Sequence, residues 1–138
     1  MNRYFRNLKI YRIHSQWPST EEELSDVLSE AEFKPCGAFS ERSGGFEAPV
    51  ENAGDRLCRK VSGADLLQMR VQTRLLPPAA VQEALAGRVE AFKQRMNSEP
   101  NRAERRDMKE EVYSQLLPLA LLKSDRVQAF YLSEEGLL

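Results

Sequence analysis

The apolar positions keep two different periods along this chain. From Val81 onward, Leu85, Val89, Phe92 and Met96 recur three or four residues apart. After the breaker Asn97-Ser98-Glu99-Pro100, Met108, Val112 and Leu116 resume the interval. That period gives two helices with one apolar stripe each. The short polar connector favours antiparallel packing, stripe against stripe. Pro78 suits a first helical turn, Asn101 followed by Glu104 is a capping signal, and Pro118 ends or kinks the second helix by removing a hydrogen bond.

Outside this pair the period drops to two, the strand alternation. Ala64 to Leu75 sets Leu67, Met69 and Val71 against Gln68, Arg70, Gln72 and Arg74. Asp125 to Ser133 carries Val127, Ala129 and Tyr131 on one face and Phe130 and Leu132 on the other, which predicts a covered strand. Ser133-Glu134-Glu135-Gly136 reads as a hairpin turn, after which Leu137 and Leu138 begin a partner strand. Arg6 to Ile13 is a further predicted strand. Its cations, Arg6, Lys9 and Arg12 with Arg3 before them, read first as a solvated face and second as phosphate contacts.

Ser19 to Glu32 is predicted helical, with Ser19 and Glu22 as a capping box and Leu24, Val27, Leu28 and Ala31 as the apolar line. Its carboxylates turn it away from any polyanion. Between Phe33 and Gly63 repeated Pro and Gly break the pattern, leaving short strands near Gly45–Val50 and Leu57–Val61. The expected fold class is α+β: an antiparallel sheet packed with helices, and a projecting antiparallel helix pair. Residues 1–76 and 123–138 would form the sheet-containing base and 77–122 the helical arm. The last strand is cut short after two leucines, so the chain is expected to be a truncated N-terminal segment of a larger unit.

Composition narrows the function. A chain of 138 residues, 41% hydrophobic and 30% charged, forms one globular domain or part of one, not a disordered tail. The net charge of -1 removes a globally basic nucleic-acid binder, so any phosphate-binding surface must be local. No apolar run approaches the roughly 18 residues of a membrane span. Cys36 and Cys58 are too few for a disulfide framework or a zinc site and suit a reducing cytosol. Cys36, between Pro35 and Gly37, reads as a buried structural thiol. The single histidine, His14, has no acidic orienting residue nearby. Gly44-Gly45 lacks the Lys and hydroxyl residue of a phosphate loop. Carboxylates stand at ion-pairing spacing, and metal-ligand spacing is absent. The expectation is no enzyme, no catalytic residue, no metal and no cofactor.

Two sets of residues remain as candidates. Arg70 and Arg74 on the strand, with Arg102, Arg105, Arg106 and Lys109 on the second helix, could meet phosphate oxygens. Between Arg88 and Glu111 seven cations face six acids, however, so an ion-paired solvated surface is an equally open reading. Leu119, Leu121 and Leu122 follow the Pro118 break with little local core to enter, and exposed apolar clusters commonly mark self-association.

Four stretches, FRNLKIYRI, EFKPCG, LLPPAAVQEAL and MKEEVYSQLLP followed by the strand that ends in GLL, resemble in order and spacing the first half of the bacterial recombination-associated RdgC family. The resemblance implies an α+β fold and a homodimer closing into a ring around double-stranded DNA, with single-stranded DNA as a further candidate. It also implies sequence-independent binding, antagonism of RecA, and a cytoplasmic, nucleoid-associated place near replication forks, with no membrane. The chain departs from the family where an Arg and an aromatic usually form the contact between subunits, since Leu119 and Leu121 stand there. Ser98, Glu99 and Pro100 also thin the family's basic run at the turn of the helix pair. An assembly module without direct DNA contact is the alternative.

Overall fold

The computed structural model describes residues 6–51 and 54–138. Its elements are α1 (Glu21–Ser29), β1 (Arg42–Glu47), β2 (Cys58–Val61), β3 (Ala64–Leu75), α2 (Pro78–Met96), α3 (Arg102–Leu116), a 3-10 turn (Leu117–Leu119) and β4 (Leu121–Leu132). The fold is α+β. β3 is the hub of the sheet, since β1, β2 and β4 all pair with it. β2 meets it antiparallel, from Cys58 opposite Leu67 to Val61 opposite Ala64. The two turn residues between them both take positive φ, Ser62 at 43° and Gly63 at 82°, the twist that a tight hairpin needs.

The chain divides into two compact units, the first made of Met1–Lys34, Gly44–Val71 and Asp125–Leu138. Its core is Leu24, Leu28, Leu57, Cys58 and Leu67, with Trp17, Phe46, Ala129 and Leu138 packed against it. The Trp17 ring stacks on Tyr131 at 3.9 Å. Its Nε1 donates to Asp65 at 2.9 Å, and Lys60 Nζ meets the other oxygen of that buried carboxylate at 3.0 Å. Gly45 is obligatory here, because a Cβ on it would stand 2.5 Å from the Phe33 nitrogen. The bare backbone lets 31–33 lie along β1, with Phe46 N–H donating to Ala31 O at 2.9 Å and Phe33 N–H to Phe46 O at 2.8 Å.

Several expectations for this unit are corrected. Thr20, not Ser19, caps α1: its Oγ1 accepts from Glu23 N–H at 3.2 Å, while Ser19 Oγ donates to the Glu23 carboxylate at 3.3 Å. Extended backbone at Thr20 starts the helix one residue later, and the cap is the Thr20 hydroxyl on the Glu23 amide. The helix stops at Ser29, short of Glu32, because 31–33 pair with β1 instead. Leu24 and Leu28 are buried but Val27 is exposed, so the apolar line is narrower than predicted. Residues 6–13 do not form a strand. Their ladder is short: Tyr11 exchanges both backbone bonds with Leu138 at 2.7 and 2.8 Å, and Ile13 N–H donates to Gly136 O at 2.9 Å. Leu8, Ile10 and Tyr11 are exposed, so alternation alone overstated the pairing there. Arg3 lies outside the described residues. The predicted turn after β4 is present, with Gly136 at φ 63° and Leu132 N–H donating to Leu137 O at 2.8 Å.

β1 lies three residues earlier than expected and β4 begins at Leu121, not Asp125. β4 is also more open than its two apolar faces suggested: Tyr131 is buried, but Val127, Phe130 and Leu132 are substantially exposed. β3 has the predicted bounds with a different burial, Met69 being exposed and Gln72 buried.

The second unit is Pro35–Ser43 with Gln72–Ser124. Gln72 is buried because its amide is used twice, accepting from Cys36 N–H at 2.9 Å and donating to Ser124 Oγ at 3.4 Å. The predicted stripes are buried in part: Val81 and Val89 of α2, Val112 of α3 and the following Leu117 are buried, whereas Met96, at the end of α2 where the chain turns, is exposed. α2 closes on Asn97 in the left-handed region at φ 53°, a common helix stop for asparagine. The Asn101 box is complete, with Glu104 N–H donating to Asn101 Oδ1 at 2.9 Å and Asn101 N–H to Glu104 Oε2 at 2.8 Å. Pro118 ends α3 by diverting it into the 3-10 turn.

Candidate nucleic-acid interface

Charge on α3 is sorted by face. Successive helical residues are about 100° apart, so Arg102, Arg105, Arg106 and Lys109, at steps of three, one and three, share one flank, and all four are exposed. Glu104, Asp107 and Glu111 share the opposite flank. Glu110, at the border, lies 3.9 Å from Arg106. Lys93 of α2 joins the basic side through Glu99 of the connector, which it meets at 3.0 Å while Arg105 stands 3.8 Å away. The Lys93 ammonium, with Arg105 behind it, holds the Glu99 carboxyl below the usual carboxylate range.

The other side of the pair is self-compensating. Arg88 meets Glu111 at 3.0 Å and also Gln115, and the Arg95 guanidinium lies 5.9 Å from the Phe92 ring centre. Arg88, Phe92, Arg95 and Glu111 line an open groove of about 510 Å³ between α2 and α3, together with Glu104, Asp107 and Met108. The seven-to-six balance of the sequence therefore conceals two unlike flanks, one predominantly basic and one mixed. The signal was present in the sequence: the period that sorts the apolar residues also sorts the charges.

The strand cations sit differently. In the first unit, the Arg70 guanidinium lies 4.7 Å from the centre of the Phe33 ring and 3.8 Å from Glu47. In the second, Arg74 donates to four backbone carbonyls: Gly37 at 3.0 Å, Ser40 at 3.2 Å, Pro118 at 3.3 Å and Ala120 at 3.4 Å. Leu119 is 80% exposed and Leu121 76%, with Leu122 also open, whereas Leu117 is buried beside them. Cys58 is buried and donates to Glu21 O at 3.2 Å, and burial raises its thiol pKa. Among the described residues no three His, Cys, Asp or Glu side chains gather as metal ligands, and no helix is long and apolar enough to cross a membrane.

A family model described as "Putative exonuclease, RdgC" matches residues 3–138. The chain belongs to the RdgC family. Among curated proteins it is similar to the recombination-associated protein RdgC of Pseudoalteromonas atlantica, 33% identical over 134 residues, which are 97% of this chain and 44% of that one. The RdgC of Aeromonas hydrophila is 31% identical over 127 residues, 92% of this chain and 42% of the relative. That of Halorhodospira halophila is 30% identical over 135 residues, 98% and 44%. The chain thus spans less than half the length of these RdgC relatives. They are named for recombination, while the family description carries the word exonuclease.

Proposed function

We propose that this RdgC-family chain contacts DNA through the basic flank of α3 as part of a recombination-modulating protein. The carrying observation is the grouping of Arg102, Arg105, Arg106 and Lys109 on one exposed flank, with Glu104, Asp107 and Glu111 on the opposite flank and Glu110 at the border. Guanidinium and ammonium groups so placed neutralise phosphates and release counterions without reading bases. Binding is therefore independent of sequence, to double-stranded DNA first and single-stranded DNA second. Arg70 and Arg74 would have to leave internal partners to reach phosphate, so they rank below the helix residues. Together with family membership, this reading extends to modulation of RecA-dependent strand exchange at replication forks, to a ring-forming homodimer of the longer protein, and to a nucleoid-associated place in the cytoplasm. It assigns no catalytic step.

Self-association is the second reading, and the exposure of Leu119, Leu121 and Leu122 favours it. A DNA-binding titration at several salt concentrations, on matched and scrambled duplexes, tests the first reading. A hundredfold preference for one duplex would overturn phosphate-directed binding, and cleaved product in the same reactions would move the function to a nuclease.

A further inference from the structure

The basic segment ahead of α1 has no place in the α3 interface. Residues 1–20 hold Arg3, Arg6, Lys9 and Arg12 and no Asp or Glu, although the chain as a whole has a net charge of -1. Arg6, Lys9 and Arg12 are exposed, and among the described residues none of them has an ion-pair partner. Glu134 and Glu135, on the turn that faces the segment, are exposed and leave these cations unpaired. The backbone here is nevertheless fixed. Tyr11 exchanges two bonds with Leu138, at 2.7 and 2.8 Å, and Ile13 N–H donates to Gly136 O at 2.9 Å. Tyr11 is thus anchored at its backbone, yet it is 56% exposed and stacks on no other ring among the described residues. Exposed cations interleaved with an exposed aromatic suit a single nucleic-acid strand. The cations track the phosphates, and the ring is a platform on which an unpaired base stacks.

We propose that residues 6–12 form a binding site for single-stranded DNA, with an unpaired base stacked on Tyr11 and the neighbouring phosphates on Arg6, Lys9 and Arg12. The site is separate from the α3 flank, and it rests on the reading of this chain as a DNA-binding protein. Bases inside a duplex already stack on one another, so Tyr11 distinguishes the open strand whereas the cations do not. Stacking tolerates any sequence, because every base presents a flat face. Leu8 and Ile10 are exposed too, and apolar residues beside cations also suit a bilayer surface. A segment that lies on a bilayer, however, is typically a helix with its apolar side chains on one face and its cations on the other. Residues 6–12 are not helical, and Arg6, Leu8, Lys9, Ile10, Tyr11 and Arg12 interleave, as phosphate and base do along a strand.

The test is fluorescence anisotropy of the full chain on a labelled oligothymidine and on a duplex, with thermal melts of every variant. Tyr11→Leu, which keeps an apolar side chain but no flat ring, should weaken oligothymidine binding about tenfold and leave duplex binding unchanged. Tyr11→Phe, which keeps the ring, should bind both as the parent does. Arg6→Ala combined with Lys9→Ala and Arg12→Ala should lower the log–log salt slope on oligothymidine by about 2.1, at roughly 0.7 per phosphate contact. Should Tyr11→Leu lose its cooperative melt, this triple variant, which changes only exposed cations, carries the comparison. If the parent binds oligothymidine and both the triple variant and Tyr11→Leu bind it equally well, the site is wrong and the α3 reading survives. Loss of oligothymidine binding in Arg105→Glu with Arg106→Glu, with the residue 6–12 variants unaffected, assigns the single strand to α3 and also overturns the site. A parent retained on phosphatidylserine vesicles where the triple variant is not, with equal oligothymidine binding, makes the segment a membrane contact instead. A parent that binds neither nucleic acid at any salt concentration overturns both readings.

Discussion

Reversing two charges on α3, Arg105→Glu with Arg106→Glu, separates DNA contact from folding. Four cations on the flank imply a log–log salt slope of about -3.6, and the two that remain imply about -1.8, at roughly 0.9 per phosphate contact. A fourfold rise in salt should then weaken the parent about 150-fold and the variant about 12-fold. The structural cost should be small. Arg105 stands 3.8 Å from Glu99 and Arg106 3.9 Å from Glu110, with both cations at least 49% exposed, and such pairs contribute no more than about 1 kcal/mol. Neither residue belongs to the buried stripe of Val81, Val89 and Val112. Fluorescence anisotropy across a salt series gives the slopes, and thermal unfolding gives the stability. An unchanged slope would remove the α3 flank from the interface. A large fall in melting temperature would make these residues structural and refute the reasoning from exposure.

Asn101→Ala removes one half of the α3 box and should cost about 1 kcal/mol, seen as a lower urea midpoint and faster exchange at the Glu104 amide; unchanged exchange there would show the cap to be idle. Asp65→Ala strands the Trp17 Nε1 donor, and because Lys60 can turn to water the expected loss is about 2 kcal/mol with altered Trp17 fluorescence; a midpoint within error of the parent's argues against this network. Glu21 accepts from the Lys60 backbone N–H and then from Arg56, and both hold its carboxyl below the usual carboxylate range. Its stabilisation is therefore complete above the unfolded pKa and drains as pH falls through the folded one, so Glu21→Gln should flatten the acid limb of the stability profile, and an acid limb that superimposes on the parent's refutes the linkage.

What could be read from the chain by itself was local. Helix periods, the Asn101–Glu104 box, the Pro118 stop and the bounds of β3 depend on residues within a few positions of one another, and the α+β class follows from their order. The partition of charge on α3 belongs to the same category, although counting seven cations against six acids conceals it. The tertiary structure decided what distant residues do. The basic face of β3 ended up as two internal anchors, because Arg74 meets carbonyls 34 to 46 residues away and Arg70 meets Phe33 and Glu47. Gln72 became buried because Cys36 and Ser124 give its amide oxygen and nitrogen one partner each. Residues 6–13 alternate like a strand, yet their pairing is limited by where Gly136–Leu138 can reach them. Alternation specifies which side chains share a face, but burial of that face is set by the elements that cover it, and these come from elsewhere in the chain.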